Sequence, residues 1–137
     1  MMPYREILNF TYKQHQQEKD IGIWLKSHSK KGDFVYMLGH LNFDNVLSYS
    51  ERISSSKYFN PFFVTSNAQK EIVYKELIEK PPVYVFRNQK SDISKMYGLK
   101  VMEFIDNNYI IVNPLISGPS NSYNTELVRF DLLKRNY

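Results

Sequence analysis

A continuous apolar run, Phe34–Leu38, constrains the fold of this chain more than any other stretch. A turn at Gly32 precedes the run and a second glycine, Gly39, follows it. Because the run lacks the polar alternation of a half-exposed strand, it predicts a strand covered on both faces, as in α/β sheets. Ligands of such sheets gather at the carboxyl ends of the strands. We therefore expect a ligand site at the edge formed by Gly39, His40 and Asn42.

Helical and strand patterns alternate along the rest of the chain. Four segments carry apolar residues at helical spacing, namely residues 3–29, 42–50, 66–80 and 92–106. Five segments are predicted strands, namely residues 34–38, 57–59, 83–86, 109–112 and 127–133. The alternation predicts an α/β fold: a three-layer sandwich with a mainly parallel sheet and an antiparallel edge hairpin made by the last two strands. We expect the strands at residues 34–38 and 83–86 to be neighbours.

Local signals mark several helix ends. Ser66 and Gln69 match a capping box at the start of one helix, and the prolines at 81 and 82 end it. Ser91 or Asp92 is expected to cap the next helix, which Gly98 interrupts and can kink. Residues 117–124 are predicted to form a loop.

Composition narrows the chemistry. The net charge of +4 is compatible with an anionic partner, but basic and acidic residues are interspersed, so we expect an ordinary solvated surface and no nucleic-acid partner. A chain without cysteine has no disulfide or thiolate metal site. No Walker loop, dinucleotide fingerprint or G-x-S-x-G elbow is present, so any Rossmann-like fold here lacks the fingerprint and we expect no cofactor.

Five segments in a fixed order resemble a known family. Residues 20–40, DIGIWLKSHSKKGDFVYMLGH, resemble the opening of the soluble C-terminal domain of bacterial GT-C type membrane glycosyltransferases, the relatives of protein mannosyltransferases and aminoarabinose transferases. The other segments are residues 49–58, KPPVYVF at 80–86, FIDNNY at 104–109 and LVRFDLLKR at 127–135. The resemblance covers about residues 18 to 135 and departs from the family pattern at Lys57 and at Pro81, which doubles the usual proline.

The resemblance implies a function for a larger protein. Such enzymes transfer a sugar from a polyprenyl-phosphate donor, and their catalytic carboxylates lie in the membrane portion. This chain is then expected on the extracytoplasmic (periplasmic) face, assisting acceptor or head-group binding or fold stability, and non-catalytic alone. Its partners are expected to be the membrane portion of the same polypeptide and the donor, or an acceptor glycan or protein. We expect residues 1–17 to be a helical connector, residues 18–137 to be one domain, and apolar helices to be encoded upstream.

Seven residues are candidates for ligand binding: Gly39, His40, Asn42, Arg52, Lys57, Tyr58 and Arg87. A histidine at a strand edge can act as an acid or base, and an arginine can clamp a phosphate with two hydrogen bonds. Arg52, Lys57 and Arg87 would bind an anionic head group together if the loops after the strands converge. No catalytic or metal-binding residue is predicted. The alternatives left open are a free-standing cytoplasmic nucleotide- or small-ligand-binding α/β module and, more weakly, a basic nucleic-acid interaction domain.

Overall fold

The computed structural model describes residues 4–39, 43–112 and 130–136, with the backbone alone for residues 4–14 and 130. The helices are α1 (Tyr4–His28), α2 (Phe43–Ser50), α3 (Asn67–Glu79), α4 (Ile93–Tyr97) and α5 (Leu99–Asn108), with a 3₁₀ turn at Pro61–Phe63. The strands are β1 (Phe34–Leu38), β2 (Ile53–Ser54), β3 (Tyr84–Asn88), β4 (Tyr109–Ile111) and β5 (Phe130–Arg135). The predicted loop at 117–124 and residues 127–129 of the predicted last strand lie outside the described residues.

One mixed sheet joins the five strands in the order β2-β1-β3-β5-β4. β1 pairs in parallel with β2 and with β3, which confirms the predicted pairing of the two core strands. β5 is antiparallel to both β3 and β4. The predicted antiparallel pairing of the last two strands is therefore confirmed, but β5 lies inside the sheet, and of these two strands only β4 is at an edge.

Aromatic side chains pack on opposite faces of the sheet. The Trp24 ring of α1 lies edge-on to Phe86, with ring centroids 6.4 Å apart. Tyr36 is paired with Val85, the residue before Phe86, and its ring lies edge-on to Tyr97 of α4 at 6.3 Å. Since successive residues of a strand point to opposite faces, Trp24 and Tyr97 cover different faces of the sheet. The strand centres are thus buried on both sides, as the unbroken apolar run predicts.

Two helix caps form as predicted. The Ser66 hydroxyl accepts a hydrogen bond from the Gln69 backbone N–H, and the Gln69 side chain accepts one from the Ser66 N–H, completing the capping box. Asp92 caps α4 by accepting the Lys95 N–H. The helix predicted over residues 92–106 is two helices, because Gly98 between α4 and α5 has a left-handed φ of 95°.

The prediction of a strand at residues 57–59 is wrong. The second strand is Ile53–Ser54, whose pairing with β1 ends where the Ser55 N–H donates to the Val35 carbonyl. The chain then leaves the sheet, and the Tyr36 hydroxyl donates to the Tyr58 carbonyl at 2.7 Å. The Tyr58 carbonyl is thus hydrogen-bonded to a side chain of the sheet rather than to a neighbouring strand.

Short connections set the direction of the helices. A turn of five residues, 29–33, joins α1 to β1, so α1 runs antiparallel to β1 and its amino half lies towards the carboxyl ends of the parallel strands. α3 leads into β3 through residues 80–83 in the same manner. The amino end of α3 and the preceding Pro61–Phe63 turn therefore lie at that same carboxyl edge.

Candidate functional site

The carboxyl ends of β1 and β3 lie side by side. β2 is on one side of β1 and β3 is on the other, so the strand order reverses between β1 and β3. Leu38 at the end of β1 is paired with Arg87 near the end of β3. Ligands of open α/β sheets bind outside the strand ends at such a reversal. This edge is the candidate site.

Gly39 ends β1 in a closed arrangement. Its φ of 82° is left-handed, its N–H donates to the Tyr97 hydroxyl at 2.9 Å, and its carbonyl accepts from the Asn88 side chain at 3.2 Å. A Cβ at this position would lie 2.8 Å from the Ser91 Cβ. The loop after β3 thus packs directly on Gly39, and both backbone groups of Gly39 are already hydrogen-bonded. An anion would find no unpaired N–H at Gly39.

An open polar cleft of about 350 Å³ lies beside Gly39 at the end of β3. Its lining is mostly polar, with two apolar side chains, Ile93 and Met102. The polar lining residues are Arg87, Asn88, Gln89, Ser91, Asp92, Ser94, Asp106 and Asp131. We refer to it as the β3 cleft.

The Arg87 guanidinium contacts two carboxylates in the β3 cleft. Arg87 donates to Asp106 and to Asp131, both at 3.4 Å, and the Gln89 amide donates to Asp131 at 2.9 Å. Charge-assisted N–H···O bonds are commonly 2.7–2.9 Å long. Both hydrogen bonds of Arg87 are longer than this, so Arg87 contacts two carboxylates and is bound tightly to neither. The arrangement offers donors and acceptors side by side, which is what a hydroxyl group needs as it both donates and accepts.

Two tyrosines near the candidate site, Tyr36 and Tyr97, are buried. Burial raises the pKa of Tyr97 to about 12, and it raises the pKa of Tyr36 well above its ordinary value. Both side chains are therefore neutral hydroxyls at physiological pH.

At the surface of the β3 cleft, the hydrogen bond from the Ser94 hydroxyl, with that from the Lys95 N–H, lowers the pKa of Asp92.

Arg52 lies at the other end of the sheet from Gly39. It precedes β2, and its guanidinium donates to the carbonyls of Lys26 at 3.0 Å and Ser29 at 2.9 Å and to the Ser29 hydroxyl at 2.7 Å. These groups belong to the carboxyl end of α1 and the residue after it. The structure therefore does not bring Arg52 together with Lys57 and Arg87, and its side chain caps a helix.

We expect Arg52→Ala to lower the free energy of unfolding by about 1–3 kcal/mol, because it leaves the two carbonyls of Lys26 and Ser29 without this partner. Denaturant unfolding measures the change. Lys31→Ala is the matched control, since Lys31 is an exposed cation lining the same shallow cleft as Arg52. Equal stability of the two variants would contradict the capping role.

Four predicted residues remain: Lys57, Tyr58, His40 and Asn42. The Lys57 N–H donates to the Glu76 carboxylate at 3.4 Å, and the Lys57 ammonium lies 5.4 Å from the centre of the Tyr58 ring. Both residues follow β2, and the contact with Glu76 places the Lys57 backbone beside the last turn of α3 rather than at Gly39. His40 and Asn42 fall outside the described residues.

Sequence reasoning missed most of the β3 cleft. Asn88, Gln89 and Ser91 directly follow a predicted core strand, so the edge rule that selected Gly39 applies to them equally. Asp106 and Asp131 carry no comparable signal, because only the folding of α5 and β5 beside β3 brings them to Arg87.

Comparison with known proteins leaves the family open: no protein-family model, curated protein or solved structure matches this chain.

In the part of the chain that the structure describes, no group of three or more His, Asp or Glu side chains is arranged to hold a metal ion. Within residues 4–39, 43–112 and 130–136, no helix has both the length and the apolar character needed to cross a bilayer.

Proposed function

We propose that this chain is an accessory domain of a membrane glycosyltransferase that uses a polyprenyl-phosphate sugar donor. In this proposal it lies on the extracytoplasmic face, belongs to the same polypeptide as a membrane portion, and binds sugar hydroxyls of the acceptor or donor head group without transferring the sugar itself. The observation that carries the proposal is the β3 cleft, where a guanidinium, carboxylates, amides and hydroxyls line one open space.

The chemistry of the β3 cleft suits a carbohydrate. A sugar hydroxyl can donate to Asp131 while it accepts from Arg87. The hydrogen bond between these two side chains is long, at 3.4 Å, so a hydroxyl can replace it at little cost. Met102, which is half-buried, supplies apolar surface for the C–H face of a sugar ring, while Ile93 is almost fully buried. These features also fit the implied role in acceptor or head-group binding.

The placement of the resembling segments supports the family proposal. The segments at residues 34–38, 84–86 and 130–135 are strands of one sheet, and the segment at 104–109 spans the junction of α5 and β4. The amino half of α1, the proposed connector, lies towards the same edge as the β3 cleft. We also propose the finer fold class on this basis: a three-layer, Rossmann-like sandwich without a dinucleotide fingerprint.

We expect methyl glycosides of common hexoses to bind the purified chain in the millimolar range, about −4 kcal/mol, as befits an open polar cleft. Amide chemical shifts measured by NMR should change at Arg87, Gln89 and Ser94. Asp131→Asn should weaken this binding, because the amide cannot accept from Arg87 and from the sugar as a carboxylate does. Asp44→Asn, an exposed change in the first turn of α2, is the matched control.

Three outcomes would overturn this proposal. Transfer or hydrolysis of a polyprenyl-phosphate sugar by the purified chain would show a catalytic domain. Absence of any glycoside-induced shift at the β3 cleft would remove its ligand class. Shifts at Gly39 on adding ATP or GTP, without glycoside binding, would favour the free-standing nucleotide-binding module, which the reversal of strand order between β1 and β3 also accommodates.

A further inference from the structure

Two adjacent aromatic side chains protrude at the carboxyl edge. Phe62 is 68% exposed and Phe63 is 62% exposed, both in the 3₁₀ turn before α3. The flanks of the turn are anchored, since Val64 is buried and the Phe59 ring packs edge-on against Phe43 at 6.3 Å. The two rings are therefore held out by a fixed base. We call Phe62 and Phe63 the aromatic tip.

The backbone of the tip has its N–H groups satisfied internally. The Phe62 N–H donates to the Asn60 side chain at 2.9 Å, the Phe63 N–H to the Asn60 carbonyl at 3.0 Å, and the Val64 N–H to the Pro61 carbonyl at 3.1 Å. Pro61 has no N–H. A segment that enters a lipid phase must pair its backbone groups within itself. The backbone N–H donors of this turn are already paired in this way.

The segment that carries the tip has basic residues and no acidic residue of its own, and the Glu76 carboxylate of α3 lies beside Lys57. Residues 57–70, KYFNPFFVTSNAQK, contain two lysines and no acidic residue. Lys57 is exposed, and the Lys70 ammonium donates to the Lys95 carbonyl, which places a second cation at the start of the adjoining helix. Basic residues beside protruding aromatic rings complement an anionic membrane surface.

The size of the tip distinguishes a membrane from a protein partner. Two aromatic side chains bury about 150–250 Å² each, well short of the roughly 800 Å² per partner of a stable protein interface. The residues that follow the tip, Thr65 and Ser66, are polar and exposed. We propose that Phe62 and Phe63 insert into the interfacial layer of an anionic lipid bilayer, with Lys57 at the head groups. This proposal does not depend on the sugar-binding function.

Sedimentation with lipid vesicles tests the insertion. We expect the purified chain to bind vesicles of phosphatidylcholine and phosphatidylglycerol in equal parts, and to bind them less well at high salt. The double variant Phe62→Ser/Phe63→Ser should bind about tenfold or more weakly, because it removes the apolar surface that enters the lipid. Ile111→Ser, at a side chain that is 55% exposed on β4 at the opposite edge of the sheet from β2, should bind like the wild type.

A charge variant separates the two components of binding. Lys57→Gln should bind about fivefold more weakly to vesicles with phosphatidylglycerol and unchanged to phosphatidylcholine alone. No sedimentation of the wild type with either vesicle, or equal sedimentation of the wild type and the double serine variant, would overturn the proposal. Conversion of a dimer to a monomer by the double variant, without vesicle binding, would assign the tip to contact between two copies.

Discussion

Val85→Asp is expected to remove most of the stability of the domain. Val85 is fully buried in β3, between Tyr36 of β1 and Leu133 of β5. An unpaired buried charge costs about 3–5 kcal/mol, a large part of the about 5–15 kcal/mol that stabilises a typical domain. Chemical denaturation and thermal melting followed by circular dichroism measure the loss.

Graded variants show whether burial of charge is the cause. Val85→Thr keeps the side-chain shape and adds one hydroxyl, so it should cost about 1–3 kcal/mol. Ile53→Asp on β2, where the side chain is 54% exposed, should cost little. Burial raises the pKa of a carboxyl, so the loss caused by Val85→Asp should shrink as the pH falls towards about 4. Equal losses at positions 53 and 85 would refute a buried sheet centre.

Gly39→Ala is expected to have the next largest effect, a loss of about 2–4 kcal/mol. A left-handed φ costs a residue with a Cβ about 1–2 kcal/mol, and the added methyl group must also displace the loop after β3. The Ser91 Cβ would be only 2.8 Å away. Because that loop lines the β3 cleft, glycoside binding should fall together with stability.

Two further variants separate strain from crowding. Gly32→Ala has the same kind of backbone strain, with φ 93°, but no neighbouring atom within 4 Å of its Cβ. It should therefore cost only the conformational part, about 1–2 kcal/mol. Adding Ser91→Gly to Gly39→Ala should recover part of the loss. A loss no larger than that of Gly32→Ala would show that the loop yields without resistance.

Features completed by nearby residues were predictable from sequence. The capping box of Ser66 and Gln69 and the cap at Asp92 each close within four residues, so no distant element can alter them. The apolar run of β1 predicted a strand covered on both faces, and its four residues from Val35 to Leu38 are buried. Periodicity also predicted the alternation of helices and strands that brings β1 and β3 together.

Features that depend on a partner strand were not predictable. β2 has two residues, and its pairing with β1, rather than any pattern of its own, makes it a strand. An alternating last strand fits an edge hairpin as well as an inner position. Its insertion between β3 and β4 follows from burial on both faces, since the adjacent Leu132 and Leu133 are both buried.

The sequence by itself determined the α/β class, the two core strands and their parallel pairing, and the helix caps, because these arise from local hydrogen bonds and apolar periodicity. Only the tertiary structure decided the roles of the charged residues. Arg52 binds the end of α1, while Arg87 meets Asp106 and Asp131 from two later elements. A long charged side chain takes the partner that the packing of distant elements places within its reach, and local sequence carries no record of that distance.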